Sequence, residues 1–158
     1  MLNTHLLSCC FLSVVLIDAA VNAESWQRHT IMEQGHCNTA VALDSNGDKL
    51  LDVIASFNGK VSLFIAPSWE TEVVIFRFPG GNGNCIHSET IDVDGDGDLD
   101  WAGTLANAHP FWLENPGVDK AQQGAWTPRI IDPDITGIHC ILRSDIDNDG
   151  KPDLIINN

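Results

Sequence analysis

Beyond residue 25 the hydrophobic positions of this chain fall in short runs separated by clusters of glycine, asparagine, proline and aspartate. The runs cover residues 26–31, 37–43, 52–57, 61–66, 69–75, 85–91, 100–105, 111–114, 126–131 and 138–144. They are rich in β-branched and aromatic residues and lack the 3.6-residue period of an amphipathic helix, so each predicts a strand. Asn58-Gly59 lies between two of them and is the dipeptide best suited to a two-residue hairpin turn. Residues 107–109 make the matching turn further along, and Pro67 and Pro116-Gly117 break the pattern where connections are needed. The chain therefore reads as all-β.

The pattern repeats. A tryptophan opens the runs at 26, 69 and 126; a glycine follows each, then a strand, an acidic loop and a further strand. The acidic loops begin at Asp44, Asp92 and Asp145, about 50 residues apart. Four strands in a period of that length fit one blade of a β-propeller. The tryptophan-led periods are 26–68, 69–125 and a partial 126–158, within a repeat region of 24–158.

The loops carry the chemistry. They place oxygen-bearing side chains at positions 1, 3, 5 and 9: Asp44, Asn46, Asp48 and Asp52; Asp92, Asp94, Asp96 and Asp100; Asp145, Asp147, Asp149 and Asp153. Four such groups in nine residues repel one another unless a hard cation sits among them, and Ca²⁺ takes oxygen ligands from flexible loops of this kind. Up to three structural Ca²⁺ sites are expected. Gly97 and Gly150 stand at position 6, where the chain turns sharply, but the first loop has Lys49 there and neutral Asn46 at position 3. A lysine in left-handed geometry costs roughly 1 kcal/mol or more, so the first loop should be the weakest site. An EF-hand would need a bidentate Glu at position 12; Ala55, Gly103 and Ile156 stand there instead, and the flanking runs are strands.

Charge narrows the partners. With 8 basic and 22 acidic residues the net charge is −14. Eleven of the acids belong to the three loops, and three Ca²⁺ would offset six of the negative charges. A nucleic-acid partner would need a basic face, and an anionic membrane a polybasic anchor. The N-terminus predicts export: residues 6–17 form an apolar stretch too short to span a bilayer, and Val21-Asn22-Ala23 offers small residues for cleavage, giving a signal peptide over 1–23. A secreted, periplasmic or cell-surface location would supply the Ca²⁺ that weak loop sites require.

The three loops, each followed by Asp-Val or Asp-Leu within a few residues, and the string Phe111-Trp112-Leu113-Glu114-Asn115-Pro116-Gly117 resemble the FG-GAP/VCBS repeat family, the Ca²⁺-loop propellers of integrin α-subunits and many secreted bacterial proteins. The resemblance implies blades of four antiparallel strands, with each loop joining the innermost strand to the next. It also implies metal sites that pin hairpins and leave no catalytic vacancy. The Phe-Gly signature of integrin-type repeats is replaced here by Gly35-His36 and Gly83-Asn84. Two and a half periods cannot close a propeller, which needs about four blades. An incomplete propeller is expected, belonging to a larger chain or assembly, with an open edge at residues 155–158 prone to association.

Other residues could carry function. Cys37, Cys85 and Cys140, with His36, His87 and His139, recur ahead of the loops and would suit a soft-metal site. Equivalent positions on neighbouring blades spread around an axis, however, so these cysteines are expected to pack in the interior. Trp26, Trp69 and Trp126 keep the period and should be packing residues; Trp101 and Trp112 fall outside it and are the surface candidates for stacking on sugar rings. No nucleophile elbow, phosphate loop or paired-carboxylate motif is present. The function expected is a non-catalytic binding or adhesion module for a glycan or an extracellular protein. The alternatives are part of a propeller enzyme such as a polysaccharide lyase, or a purely structural repeat of a larger surface protein.

Overall fold

A computed structural model describes residues 27–33, 35–105 and 107–157. The predicted signal peptide and Trp26 lie outside these residues. Ten strands form three antiparallel sheets. The first contains β1 (Cys37–Leu43), β2 (Asp52–Phe57), β3 (Lys60–Ile65) and β4 (Thr71–Arg77) in that order. The second repeats the order with β5 (His87–Ile91), β6 (Asp100–Thr104), β7 (Phe111–Glu114) and β8 (Thr127–Ile130). The third pairs β9 (Cys140–Ser144) with β10 (Asp153–Asn157). Among the described residues there is no α-helix, and no helix is long and apolar enough to cross a membrane.

The strand runs were legible, but their grouping differs from the tryptophan-led periods. The strand after Trp69 is the fourth of the first sheet, and the strand after Trp126 is the fourth of the second. The run at 26–31 forms no strand over residues 27–31; Ile31 and Met32 instead pack on the outer face of the first sheet, against Ala55, Phe57 and Phe64.

The hairpin at Asn58-Gly59 forms as expected. Asn58 has φ 48° and Gly59 φ 74°, the left-handed pair that matches the twist of two antiparallel strands. A Cβ on Gly59 would lie 2.1 Å from the Gly81 carbonyl oxygen, so the close approach of the Pro79–Gly81 turn also requires glycine.

The sheets stack face to face. Leu43, Ile54, Leu63 and Ile75 of the first sheet meet Trp101, Phe111 and Leu113 of the second in one core. Ala102, Trp112 and Ile91 on the opposite face of the second sheet meet Ile141 of the third. Both faces of β6 are thus covered, and all five of its residues are buried. Trp101 and Trp112 are only 0% and 8% exposed, which corrects the expectation that they form a surface for sugars. Trp101 fits because Gly103 has no side chain: a Cβ there would sit 2.3 Å from the indole ring. Truncating a buried aromatic of this kind costs about 3–5 kcal/mol.

The first strands of the sheets lie side by side, β1 against β5 and β5 against β9. Polar links tie them: Thr39 Oγ1 and Ser88 Oγ are 2.8 Å apart, and Arg143 Nη1 donates to the Thr90 carbonyl at 2.7 Å. Since each acidic loop follows the first strand of its sheet, this stacking puts the three loops at the same end of their sheets.

Candidate metal-binding site

Every loop joins the first strand of a sheet to the second: residues 44–51 between β1 and β2, 92–99 between β5 and β6, and 145–152 between β9 and β10. Their backbones share one conformation. Positions 4 and 6 are left-handed in all three: Gly47 (φ 76°) and Lys49 (69°), Gly95 (77°) and Gly97 (101°), Asn148 (60°) and Gly150 (86°). Lys49 therefore keeps the geometry that glycine adopts elsewhere and bears its strain.

The curl aims backbone N–H groups at the first aspartate. Asp44 Oδ1 accepts from Gly47 N at 2.8 Å and Asp48 N at 3.1 Å, while its Oδ2 accepts from Lys49 N at 2.9 Å. Asp92 accepts from Gly95 N at 2.7 Å and Gly97 N at 3.1 Å. Asp145 accepts from Asp149 N at 3.1 Å and Gly150 N at 3.0 Å. These bonds fix where the carboxylates of positions 3 and 5 stand.

Positions 1, 3 and 5 come together. Asp92, Asp94 and Asp96 each offer a carboxylate oxygen within 4.8 Å of the others, and so do Asp145, Asp147 and Asp149. Asp94, Asp96 and all three residues of the third loop are exposed. In the first loop Asn46 donates from Nδ2 to Asp48 Oδ2 at 3.0 Å, an amide turned toward an oxygen that a cation would use. That contact adds to the reasons for ranking this loop lowest.

Position 9 stands apart from those groups. Asp52 and Asp100 are buried, at 0% and 1% exposure, and their carboxylates receive backbone N–H groups. Asp100 Oδ2 accepts from Val93 N at 2.8 Å and Oδ1 from Asn115 N at 2.8 Å. Asp52 repeats the arrangement: Oδ2 accepts from Ser45 N at 3.3 Å and from the Ser45 hydroxyl, and Oδ1 from Ala66 N at 2.7 Å. Asp153 Oδ2 accepts from Ile146 N at 2.8 Å. Each position-9 carboxylate thus clasps position 2 of its loop, and in the first two sheets also the residue following the third strand. A second tie lies next to it. Trp69 Nε1 donates to the Leu51 carbonyl at 3.0 Å, and Asn115 Nδ2 to the equivalent Leu99 carbonyl at 3.2 Å. The spacing of oxygens along the sequence does not distinguish this clasp from a ligand position.

The second loop is the most strongly acidic, because Asp98 fills position 7. Burial, then the charges of Asp96, Asp100, Asp94 and Asp92, push Asp98 up to about 6. Asp98 Oδ1 is buried without a hydrogen-bond partner. Burial also pushes Asp100 up to about 6, aided by Asp94 and Asp96 and opposed by the N–H groups of Asn115 and Val93. A carboxylate whose folded-state pKa lies above its unfolded value near 4 favours the folded state below that value; the contribution is lost as pH rises through 6. In chelator, Asp98→Asn is therefore expected to raise the melting midpoint at pH 7.5 and to change it little at pH 4.5. A variant that melts lower than the parent at pH 7.5 would contradict this account of the loop.

The cysteine and histidine set is not brought together. Among the described residues the only groups of three or more potential metal ligands are the two acidic ones. Cys85 is fully buried, and desolvation pushes its thiol up to about 12, which makes it an inert packing residue. Cys37 is exposed and Cys140 partly so, which corrects the expectation that all three pack inside. His109, in the connection between β6 and β7, has Nδ1 2.9 Å from the Ile135 carbonyl oxygen.

Comparison of the chain with protein-family models, with curated proteins and with solved structures gives no match.

Proposed function

We propose that this chain is a secreted, calcium-stabilised stretch of β-propeller of the FG-GAP/VCBS kind, serving as a non-catalytic binding or adhesion module for a glycan or an extracellular protein. The observation that carries the reading is the recurrence of one acidic loop at one place in three successive sheets. In two of those loops the oxygens of positions 1, 3 and 5 converge. Oxygen-only ligands in a flexible curl suit Ca²⁺ better than Zn²⁺, which prefers nitrogen and sulfur, or Mg²⁺, which needs a stricter octahedron. Asp52, Asp100 and Asp153 can add to the coordination, because a carboxylate oxygen that accepts one N–H retains a second lone pair. The stacking of sheets through both faces, with first strands adjacent, is the packing a propeller uses around its axis.

In this reading the loops are fixtures and the ligand meets other surfaces, since loops that saturate an ion leave no open coordination position. Glycan arrays probed with the purified protein in Ca²⁺ and in EDTA test it. Binding to a defined set of glycans in Ca²⁺, lost in EDTA, is the expected result. Equal signals in both buffers, or release of unsaturated sugars from a bound polysaccharide, would count against a calcium-held, non-catalytic module.

A further inference from the structure

Two adjoining cavities open at the end of the sheets away from the acidic loops. The outer strands β4 and β8 are tied where Trp126 N donates to the Ile75 carbonyl at 2.8 Å. Beyond the tie lies a cavity of about 580 Å³, walled by Phe76, Phe78, Phe111, Leu105 and Ile130. The three phenylalanine rings brace one another, with centroids 5.1 to 6.2 Å apart. A second cavity, of about 510 Å³, is lined by Asn38, Asn84 and Asn107. Leu105 and Ala108 line both, so an apolar chamber leads into a carboxamide one. Every lining residue belongs to the first two sheets or their connections, and none to the third sheet.

The lining decides the charge of a ligand. The chain carries 22 acidic residues, yet among the described residues none lines either cavity. Arg129 is the one cationic residue there, and Glu114 holds it: Nε donates to Glu114 Oε2 at 2.6 Å, and Nη2 pairs with the same oxygen. A charged ligand would lose its hydration in these cavities without gaining a free counter-charge.

The remaining polar groups suit hydroxyls. Asn84 Oδ1 accepts from Gly59 N at 3.2 Å, which orients the amide and leaves its NH₂ to donate. His109 lines the apolar chamber, with Nδ1 2.9 Å from the Ile135 carbonyl oxygen. That oxygen only accepts, so Nδ1 carries the proton and Nε2 of the neutral ring is an acceptor. Asn38 and Asn107 are exposed, each with a donor and an acceptor end. A pyranose ring has C–H groups on its faces and hydroxyls around its rim that both donate and accept. Apolar walls with a few convergent polar groups match that division.

We propose that the two cavities form one site for a neutral oligosaccharide, with a pyranose face against the phenylalanine wall and its hydroxyls on Asn38, Asn84 and Asn107. The site rests on the reading of this chain as a glycan-binding module and gives that reading a place and a ligand charge.

Isothermal titration calorimetry in Ca²⁺ tests it, with neutral gluco-, manno- and galacto-oligosaccharides and with oligogalacturonate as the charged counterpart. The variants are Ala108→Trp, which fills the junction of the chambers, and the double substitution Asn38→Ala/Asn107→Ala, at two exposed positions. Circular dichroism and melting in Ca²⁺ check that they fold. The expected result is binding of at least one neutral series, roughly tenfold or more tighter than oligogalacturonate. That binding should weaken roughly tenfold or more in Ala108→Trp and roughly fivefold or more in the double variant. Neutral sugars bound equally by the parent and both folded variants would overturn this site while leaving the glycan reading intact. A preference for oligogalacturonate would overturn it on charge. Binding of no sugar at all would overturn the site and the glycan reading together.

Discussion

Calcium is expected to raise the thermal midpoint of this protein by on the order of 15 °C, and EDTA to reverse the rise. The estimate comes from linkage. A ligand that binds only the folded form at 100 times its dissociation constant adds about 2.7 kcal/mol per site. The second and third loops, whose three carboxylates converge, together give about 5 kcal/mol. For a domain of this size 1 kcal/mol moves the midpoint by roughly 2–8 °C. The first loop adds less, because Lys49 is held at φ 69° and Asn46 brings an amide in place of a charge. Calorimetric titration should then resolve two tighter sites and one weaker one. Mg²⁺ should substitute poorly, since it gives up its water reluctantly. A midpoint unmoved by millimolar Ca²⁺ would remove the basis for treating these loops as metal sites.

The second large effect separates the two kinds of aspartate. Asp100→Ala should destabilise the protein by about 1–3 kcal/mol even in chelator, because it strands the buried N–H of Asn115 and also releases the partly buried N–H of Val93. Relief of the charge burial that raises the Asp100 pKa will offset part of this in chelator, so the full loss should appear in Ca²⁺. Asp96→Ala should behave in the opposite way. Asp96 is exposed, and its side chain accepts a single loop bond, from Asp98 N at 3.1 Å. Its removal lowers the repulsion around Asp98 and should leave the metal-free midpoint unchanged or higher, while abolishing binding at that loop. Chemical denaturation of both variants with and without Ca²⁺ gives the comparison. Equal losses for the two in chelator would show that position 9 has no special part in closing the loop.

Strand positions were readable from the sequence because acidic loops and Asn58-Gly59 bracket them closely. Their pairing was less so. Trp69 and Trp126 recur with the period, but nothing in a linear pattern says whether a strand closes one sheet or opens the next. Trp101 and Trp112 were misread for a different reason. Their place outside the tryptophan period marks them as surface candidates, but that period says nothing about burial in β6 and β7, which are covered on both faces so that nearly every residue is buried. At the site, the spacing gave the oxygen set and the left-handed turn at position 6. It could not give the division of labour between positions 1, 3 and 5 and position 9. That depends on backbone N–H groups at residues 66 and 115, which reach the loop only after the third strand has folded back. The one available hint was that Asp52 and Asp100 each stand directly before an apolar run, where a free carboxylate would be costly.

The aspartate clasps also bear on how such a chain can grow. Asp52 reaches residues 45 and 66, and Asp100 reaches 93 and 115, so each clasp begins and ends within a single sheet. No loop borrows its closing carboxylate from a neighbour. A gene duplication or deletion spanning one whole sheet would carry its own closure with it and leave the remaining loops intact. Copy number can therefore drift while the loop chemistry stays fixed, and natural variants of this protein should differ by whole sheets more readily than by parts of one.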